Sequence, residues 1–272
     1  MIRFLAFCAA VATFAACNDW TEMETVDSKV EKPWEQDPAL WAEYTAALRA
    51  YKQSEHFIVY ARLHNSPEKA SSEQDFMRCL PDSLDIVTLT NADNFSKFDA
   101  EDMDVMREKG TKVLYQVDYA ARAEEFADMQ ALDAYLDQVV AAVAANGMDG
   151  YSFTGIPNAG DPAAVQAAAL IVSKLSADES KLLVFEGNPL FVAEADRAKV
   201  DYFILDTEKT EDVGDVKLQI LNATGYAAVP ASKLLLAAEA GAPLKDEDRV
   251  EYAAEKVRLS GTKIVMLTGP SA

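Results

Sequence analysis

From Asp37 onward the chain alternates short runs of β-branched and aromatic residues with longer alanine-rich stretches of helical period. That alternation restricts the fold to parallel strands joined by crossover helices. Expected strands fall at 56–63, 85–91, 112–118, 148–154, 182–186, 201–206, 234–239 and 263–268, and eight strands of this kind suffice to close a barrel. The helices between them carry their own boundary signals. Ser71-Ser72-Glu73-Gln74 precedes Phe76 as a helix start, and Asp99 opens a stretch that Lys109-Gly110 ends. Residues 128–145 place Leu132, Leu136, Val139, Val140 and Val143 on one face, with Asn146-Gly147 as the stop. Asp161-Pro162 is a cap followed by proline at the first helical position, and 246–259 is the last clear helix, before Gly261.

A doubly wound open sheet is the competing architecture, but it usually places a glycine-rich phosphate turn after its first strand. Here Leu63-His64-Asn65-Ser66-Pro67 follows the first strand with no glycine. The expected fold class is therefore α/β, a (β/α)8 TIM barrel over residues 38–272. Its closing C-terminal helix is expected to be missing, because the chain runs only a few residues past the eighth strand. A helix at 38–54, before the first strand, is expected to take that place.

The amino terminus reads differently. Met1-Ile2-Arg3 is a short basic start, the apolar run 4–14 follows, and Ala15-Ala16-Cys17 closes a pattern that fits a bacterial secretion signal. Phe14-Ala15-Ala16-Cys17 resembles a lipobox, so 1–16 is expected to be a lipoprotein signal peptide and Cys17 the lipidated residue. An ordinary secreted protein with an incidental Cys17 is the alternative. Residues 17–37 are polar and acidic, as a flexible tether would be. Cleavage would leave Cys79 as the one free thiol, expected to be a small buried hydrophobe rather than a nucleophile.

Lys and Arg number 25 against 45 Asp and Glu, a formal charge of −20. Nucleic acid and anionic head groups would be repelled, so neither is an expected partner, and a neutral or cationic ligand suits the balance. His56 and His64 flank a single strand without a ligand cluster, so no metal and no cofactor are expected.

In a (β/α)8 barrel the functional side chains lie at the carboxyl ends of the strands. Those positions hold Tyr60, Arg62, Asn91, Gln116, Asp118, Ser152, Thr154, Glu186, Asn188, Asp206 and Glu239, with Tyr119 just beyond the third strand. Polar residues also gather at strand ends simply because solvent begins there. Along the fourth strand the period of two sends Ser152 and Thr154 into the barrel and Tyr151 and Phe153 beneath the helices. Asp149, on the outward face, is expected to be structural.

The octet Asp149-Gly150-Tyr151-Ser152-Phe153-Thr154-Gly155-Ile156 resembles the signature Asp-Gly-x-Asp-x-Asp-x-Glu of glycoside hydrolase family 18, the chitinases and endo-β-N-acetylglucosaminidases. The resemblance puts Ile156 at the position of the family's proton donor and Thr154 at that of the carboxylate that orients the substrate's acetamide. Ser152 replaces a further acidic residue. The sixth strand's Phe203-Ile204-Leu205-Asp206 resembles the family's Met-x-Tyr-Asp with the tyrosine lost, and Met266-Leu267-Thr268 lacks the tryptophan of the sugar-site floor. No catalytic residue is therefore expected, the degenerate motif positions being Asp149, Ser152, Thr154 and Ile156. Loss of a general acid alone costs on the order of 10²–10⁴ in rate. Asp19, Glu22, Glu24 and Asp27 after Cys17 resemble the export signal of Bacteroidetes surface lipoproteins.

The resemblance implies a lipid-anchored, surface-exposed outer-membrane protein that holds an oligosaccharide or glycoprotein glycan without cleaving it, beside glycan-importer components. Hydrogen bonds from Asn91, Gln116, Asp118, Asn188 and Asp206 and stacking on Tyr60 or Tyr119 would supply the binding. An active family 18 enzyme with a displaced acid is the alternative, with Glu186 or Asp118 in that role. A third reading is a structural module whose loop 155–163 closes the barrel mouth.

Overall fold

The computed structural model describes residues 32–65, 69, 75–126 and 128–238, together with the backbone of 266–268. The stretch expected to be a signal peptide, Cys17, the helix start expected at 71–74, Glu239 and the helix expected at 246–259 lie outside the described residues. The described chain divides at Ala42. In the smaller unit Pro33–Gln36 forms a helical turn, α1, within the stretch expected to be a tether. Pro33 stands at its start and Glu35 accepts from the Lys32 N–H at 3.0 Å. Both features favour the first turn of a helix. The second helix, α2, is Pro38–Gln53.

In the larger unit the strands are β1 Tyr60–Leu63, β2 Ile86–Leu89, β3 Lys112–Val117, β4 Gly150–Gly155, β5 Leu182–Gly187, β6 Tyr202–Leu205, β7 Leu234–Leu236 and β8 Met266–Thr268. All are parallel, and the ladder runs β7-β6-β5-β4-β3-β2-β1-β8. This is an incomplete (β/α)8 barrel: among the described residues no ladder joins β7 to β8. Most strands are shorter than their sequence runs. His56, for example, precedes the β1 ladder because its ring bridges the Ser54 carbonyl at 2.7 Å and Asp85 at 2.8 Å.

The helices follow their signals closely. α3 is Lys97–Lys109, α4 Tyr119–Arg122, α5 Met129–Asn146, α6 Pro162–Leu175 and α7 Val213–Leu221. The cap of α3 is Ser96, three residues ahead of the expected Asp99, which instead reaches back to the Ser96 N–H at 2.8 Å. Asp128 and Asp161 cap α5 and α6, and Gly147 ends α5 at φ 64°, a conformation open to glycine. Leu132, Leu136, Val139 and Val143 are buried on one stripe of α5.

Two layers result. Tyr151, Phe153, Phe185, Phe203 and Leu205 pack with the helices outside the sheet, while Tyr60, Ile86, Leu114, Val184, Ile204, Leu235 and Ala237 fill the barrel interior. At the amino ends a repeated device ties neighbouring strands. Asp85, Asp149 and Asp201, each just before an even-numbered strand, accept the N–H of Val59, Val113 and Leu183 at 2.7, 3.0 and 2.9 Å. Asp149 thus ties the Val113 backbone, and Lys112 pairs with its other oxygen at 2.8 Å.

Two expectations are corrected. Cys79 is exposed rather than buried, because the tight turn Met77–Cys79 turns Met77 inward instead. From Glu43 on, α2 lies at the amino ends of β2 and β3 and does not replace the closing helix. Lys52 donates to the Leu84 carbonyl at 2.5 Å and to Thr111 at 2.8 Å, and Arg49 donates to the Glu108 carbonyl at 2.5 Å. Those partners lie just ahead of β2 and β3. Desolvation outweighs the nearby carboxylates and lowers the Lys52 pKa to about 8. The unfolded chain therefore holds this proton more tightly, and stability should rise with pH from about 8 towards the ordinary lysine value of 10.5. Denaturant midpoints of wild type minus Lys52→Met should increase between about pH 7.5 and 9.5, and a flat difference would contradict the assignment.

Candidate functional site

The interior ends of β1 to β6 bring together most of the polar positions read from the sequence. They line a cavity of about 1200 Å³ whose walls include Arg62, Gln116, Asp118, Thr154, Glu186 and Asp206. Asn188, Ile156, Leu190 and Tyr226 line it as well. The end of β4 and the loop after it contribute Gly155, Ile156 and Pro157 to this lining.

Glu186 is at the centre. It is 5% exposed and accepts from the Tyr60 hydroxyl at 2.5 Å, Arg62 Nε at 2.6 Å and Gln116 Nε2 at 3.3 Å. Arg62 also pairs with Glu208 at 3.0 Å. Burial, then the Glu186 charge, pushes the Tyr60 phenol well above its ordinary pKa, so it serves as a hydrogen-bond donor. Desolvation opposes the Arg62 charge, but Glu186 and Glu208 more than restore it. Beneath this network Thr88 and Ser152 share a hydrogen bond of 2.7 Å and are completely buried.

Thr154 is engaged in holding the backbone together. Its hydroxyl donates to Asp118 at 2.6 Å and accepts the Ala120 N–H at 2.9 Å, which pins α4 to β4. Asp118 caps α4 through the Ala121 N–H at 3.3 Å. Ile156 is 69% exposed on the cavity wall and offers only an alkyl surface. Asp206 is exposed and makes no hydrogen bond or ion pair among the described residues, while Asn188 uses its carbonyl oxygen on the Leu190 N–H at 3.0 Å and keeps its amide nitrogen available.

Three residues stand elsewhere than expected. Tyr60 is an interior post with 0% exposure, so its ring offers no stacking surface. Tyr119 packs its ring on Phe126 and Phe191, with centroids 6.1 and 5.9 Å away, and does not line the cavity. Asn91 accepts from Asn94 at 2.8 Å, also away from the cavity lining. Gln219, Asn222 and Tyr226 line the cavity without having been singled out by strand-end reasoning, because they lie on a helix and the turn after it. Among the described residues no group of His, Cys, Asp or Glu is arranged to hold a metal ion.

The family model of glycoside hydrolase family 18, BT1044-like, matches residues 21–151. The match covers just under half of the chain and stops before Ser152. Among solved structures an endo-β-N-acetylglucosaminidase from Cordyceps militaris is similar at 17% identity and TM-score 0.63, covering 83% of this chain and 85% of its own. A further structure of that enzyme, a mutant, is a complex with fucosyl-N-acetylglucosamine-Asn, at TM-score 0.60 and 17% identity over 82% of this chain and 84% of its own. A BT1044 variant is 17% identical at TM-score 0.60, over 77% and 74% of the two chains. A chitinase from Bacteroides thetaiotaomicron is 12% identical at TM-score 0.57, over 78% and 89%. No curated protein matches. The chain is thus similar in sequence to family 18 glycoside hydrolases over residues 21–151 and shares the barrel fold of these structures.

Proposed function

We propose that this protein holds a neutral oligosaccharide containing N-acetylglucosamine in the cavity at its strand ends and does not cleave it. One observation carries the reading: of the carboxylates lining the cavity, the one at its centre, Glu186, is the acceptor in every hydrogen bond it makes. An acid must play the opposite role. The signature's acid position offers the alkyl group of Ile156, and its acetamide-orienting position offers Thr154, whose proton is already committed to Asp118. The displaced-acid alternative gains no support from this geometry. Binding would use the amide of Asn188, the carboxylate of Asp206 and the unused oxygen of Gln116, groups suited to sugar hydroxyls.

Titration calorimetry with chitobiose-core glycans should give Kd between about 1 μM and 1 mM, roughly −8 to −4 kcal/mol. A reducing-end assay on the same glycans should show no release, and turnover at ordinary enzymatic rates would defeat the proposal. Among the described residues the lining also sets a charge preference, because one guanidinium faces three carboxylates, Asp118, Glu186 and Asp206. A sialylated glycan should bind several-fold more weakly than its neutral counterpart, and the gap should shrink as salt is added. Lipidation at Cys17 and display on the outer membrane complete the proposal. The mass of the mature amino terminus tests them: a chain that retains residues 1–16, or starts elsewhere than a diacylated Cys17, excludes the anchor.

A further inference from the structure

The cavity has one wall that strand-end chemistry does not explain. Gln219, Asn222, Ala223 and Tyr226 line it from α7 and the turn that follows. Their spacing of three and four residues places them on one stripe of a helix. Tyr226 is 76% exposed, the most open of the large hydrophobic side chains among the described residues. Leu218 and Leu221 on the same helix are exposed as well, at 55% and 65%, but neither lines the cavity. The segment Asn222–Tyr226 is a π-helical turn, closed by the Ala227 N–H on the Asn222 carbonyl at 2.8 Å. Such turns are rare and concentrate at functional sites. Gly225 beside the ring has no atom within 4 Å of where a Cβ would stand, so no neighbour crowds it.

A pyranose is amphipathic in the same way as a tyrosine ring and amide pair. Its axial C–H groups form an apolar face that packs on an aromatic ring, and its equatorial hydroxyls reach sideways to hydrogen-bonding groups. Asn222, exposed one turn before Tyr226, supplies such a group, and Gln219 is steadied for the same wall by its bond to Thr210 at 3.1 Å.

Building on the glycan reading, we propose that Tyr226 is the stacking platform of this site, with Asn222 beside it. The ligand would then be a sugar with an unbroken axial C–H face, such as the gluco-configured rings of chitooligosaccharides. The platform lies on a helix-derived turn, whereas the strand-end aromatics Tyr60 and Tyr119 are buried or turned away.

The test is titration calorimetry of full-length protein with chitotetraose, comparing wild type, Tyr226→Ala, Tyr226→Phe and Leu221→Ala. Tyr226→Ala should weaken binding by roughly five- to tenfold, because the stacked area is lost. Tyr226→Phe should stay within about twofold, since the ring and not the hydroxyl makes the contact, and Leu221→Ala should match wild type. Thermal melts should be unchanged for Tyr226→Ala, as expected of an exposed side chain. Equal binding by wild type and Tyr226→Ala overturns the platform while leaving the glycan reading intact. Absence of binding by wild type overturns both, and a loss in Tyr226→Phe equal to that in Tyr226→Ala would assign the effect to the hydroxyl and refute stacking.

Discussion

Glu186→Ala is expected to lower stability by about 3–5 kcal/mol, a fall in melting temperature of roughly 6–20 °C for a domain of this size. The carboxylate is 3% exposed at its side chain and serves three donors, one of which, Tyr60, is completely buried. Its removal leaves the Tyr60 hydroxyl buried without its acceptor and leaves Arg62 with Glu208 alone. An unmatched buried group costs far more than the intact pair contributes, since the pair itself must first be desolvated. For that reason the double variant Glu186→Leu with Arg62→Met should recover much of the loss. Thermal melts of the single and double variants decide the matter. A Glu186→Ala protein as stable as wild type, yet newly unable to release sugar, would mean that the residue is catalytic and that the pseudo-active-site interpretation is wrong.

The second large effect concerns a residue of the signature itself. Gly150→Ala should cost about 3 kcal/mol or more and give a protein that expresses poorly or melts early. A Cβ at Gly150 would stand 2.1 Å from the Leu182 carbonyl oxygen and 2.6 Å from the Leu182 nitrogen, both backbone atoms of the paired strand. Neither can move aside without separating β4 from β5. Gly147→Ala provides the contrast. It meets only the tip of Arg107 at 3.5 Å, and its cost is the positive φ of 64°, about 1 kcal/mol. If the two substitutions proved equally mild, the close approach of β4 and β5 would be in error.

Asp149 and Gly150, the two signature residues that this chain retains, are therefore the ones with structural work at the amino end of β4. One clamps the Val113 N–H and the other lets β5 approach. The positions that differ, Ser152, Thr154 and Ile156, point into the barrel or onto the cavity wall.

The sequence by itself determined the order of the described strands and helices, the helix cap at Asp161, and the direction of Ser152 and Thr154 against Tyr151 and Phe153. Each of these follows from a local rule, the period of two or 3.6 or the need of a helix end for an acceptor, and local rules are written within a few residues. Only the tertiary structure decided that Arg62 and Tyr60 would meet Glu186, more than a hundred residues away. It also decided that Tyr119 would turn outward and that Tyr226 would face the cavity. Those outcomes depend on how barrel curvature and strand register bring distant side chains together, and no periodicity along a single strand or helix encodes that distance.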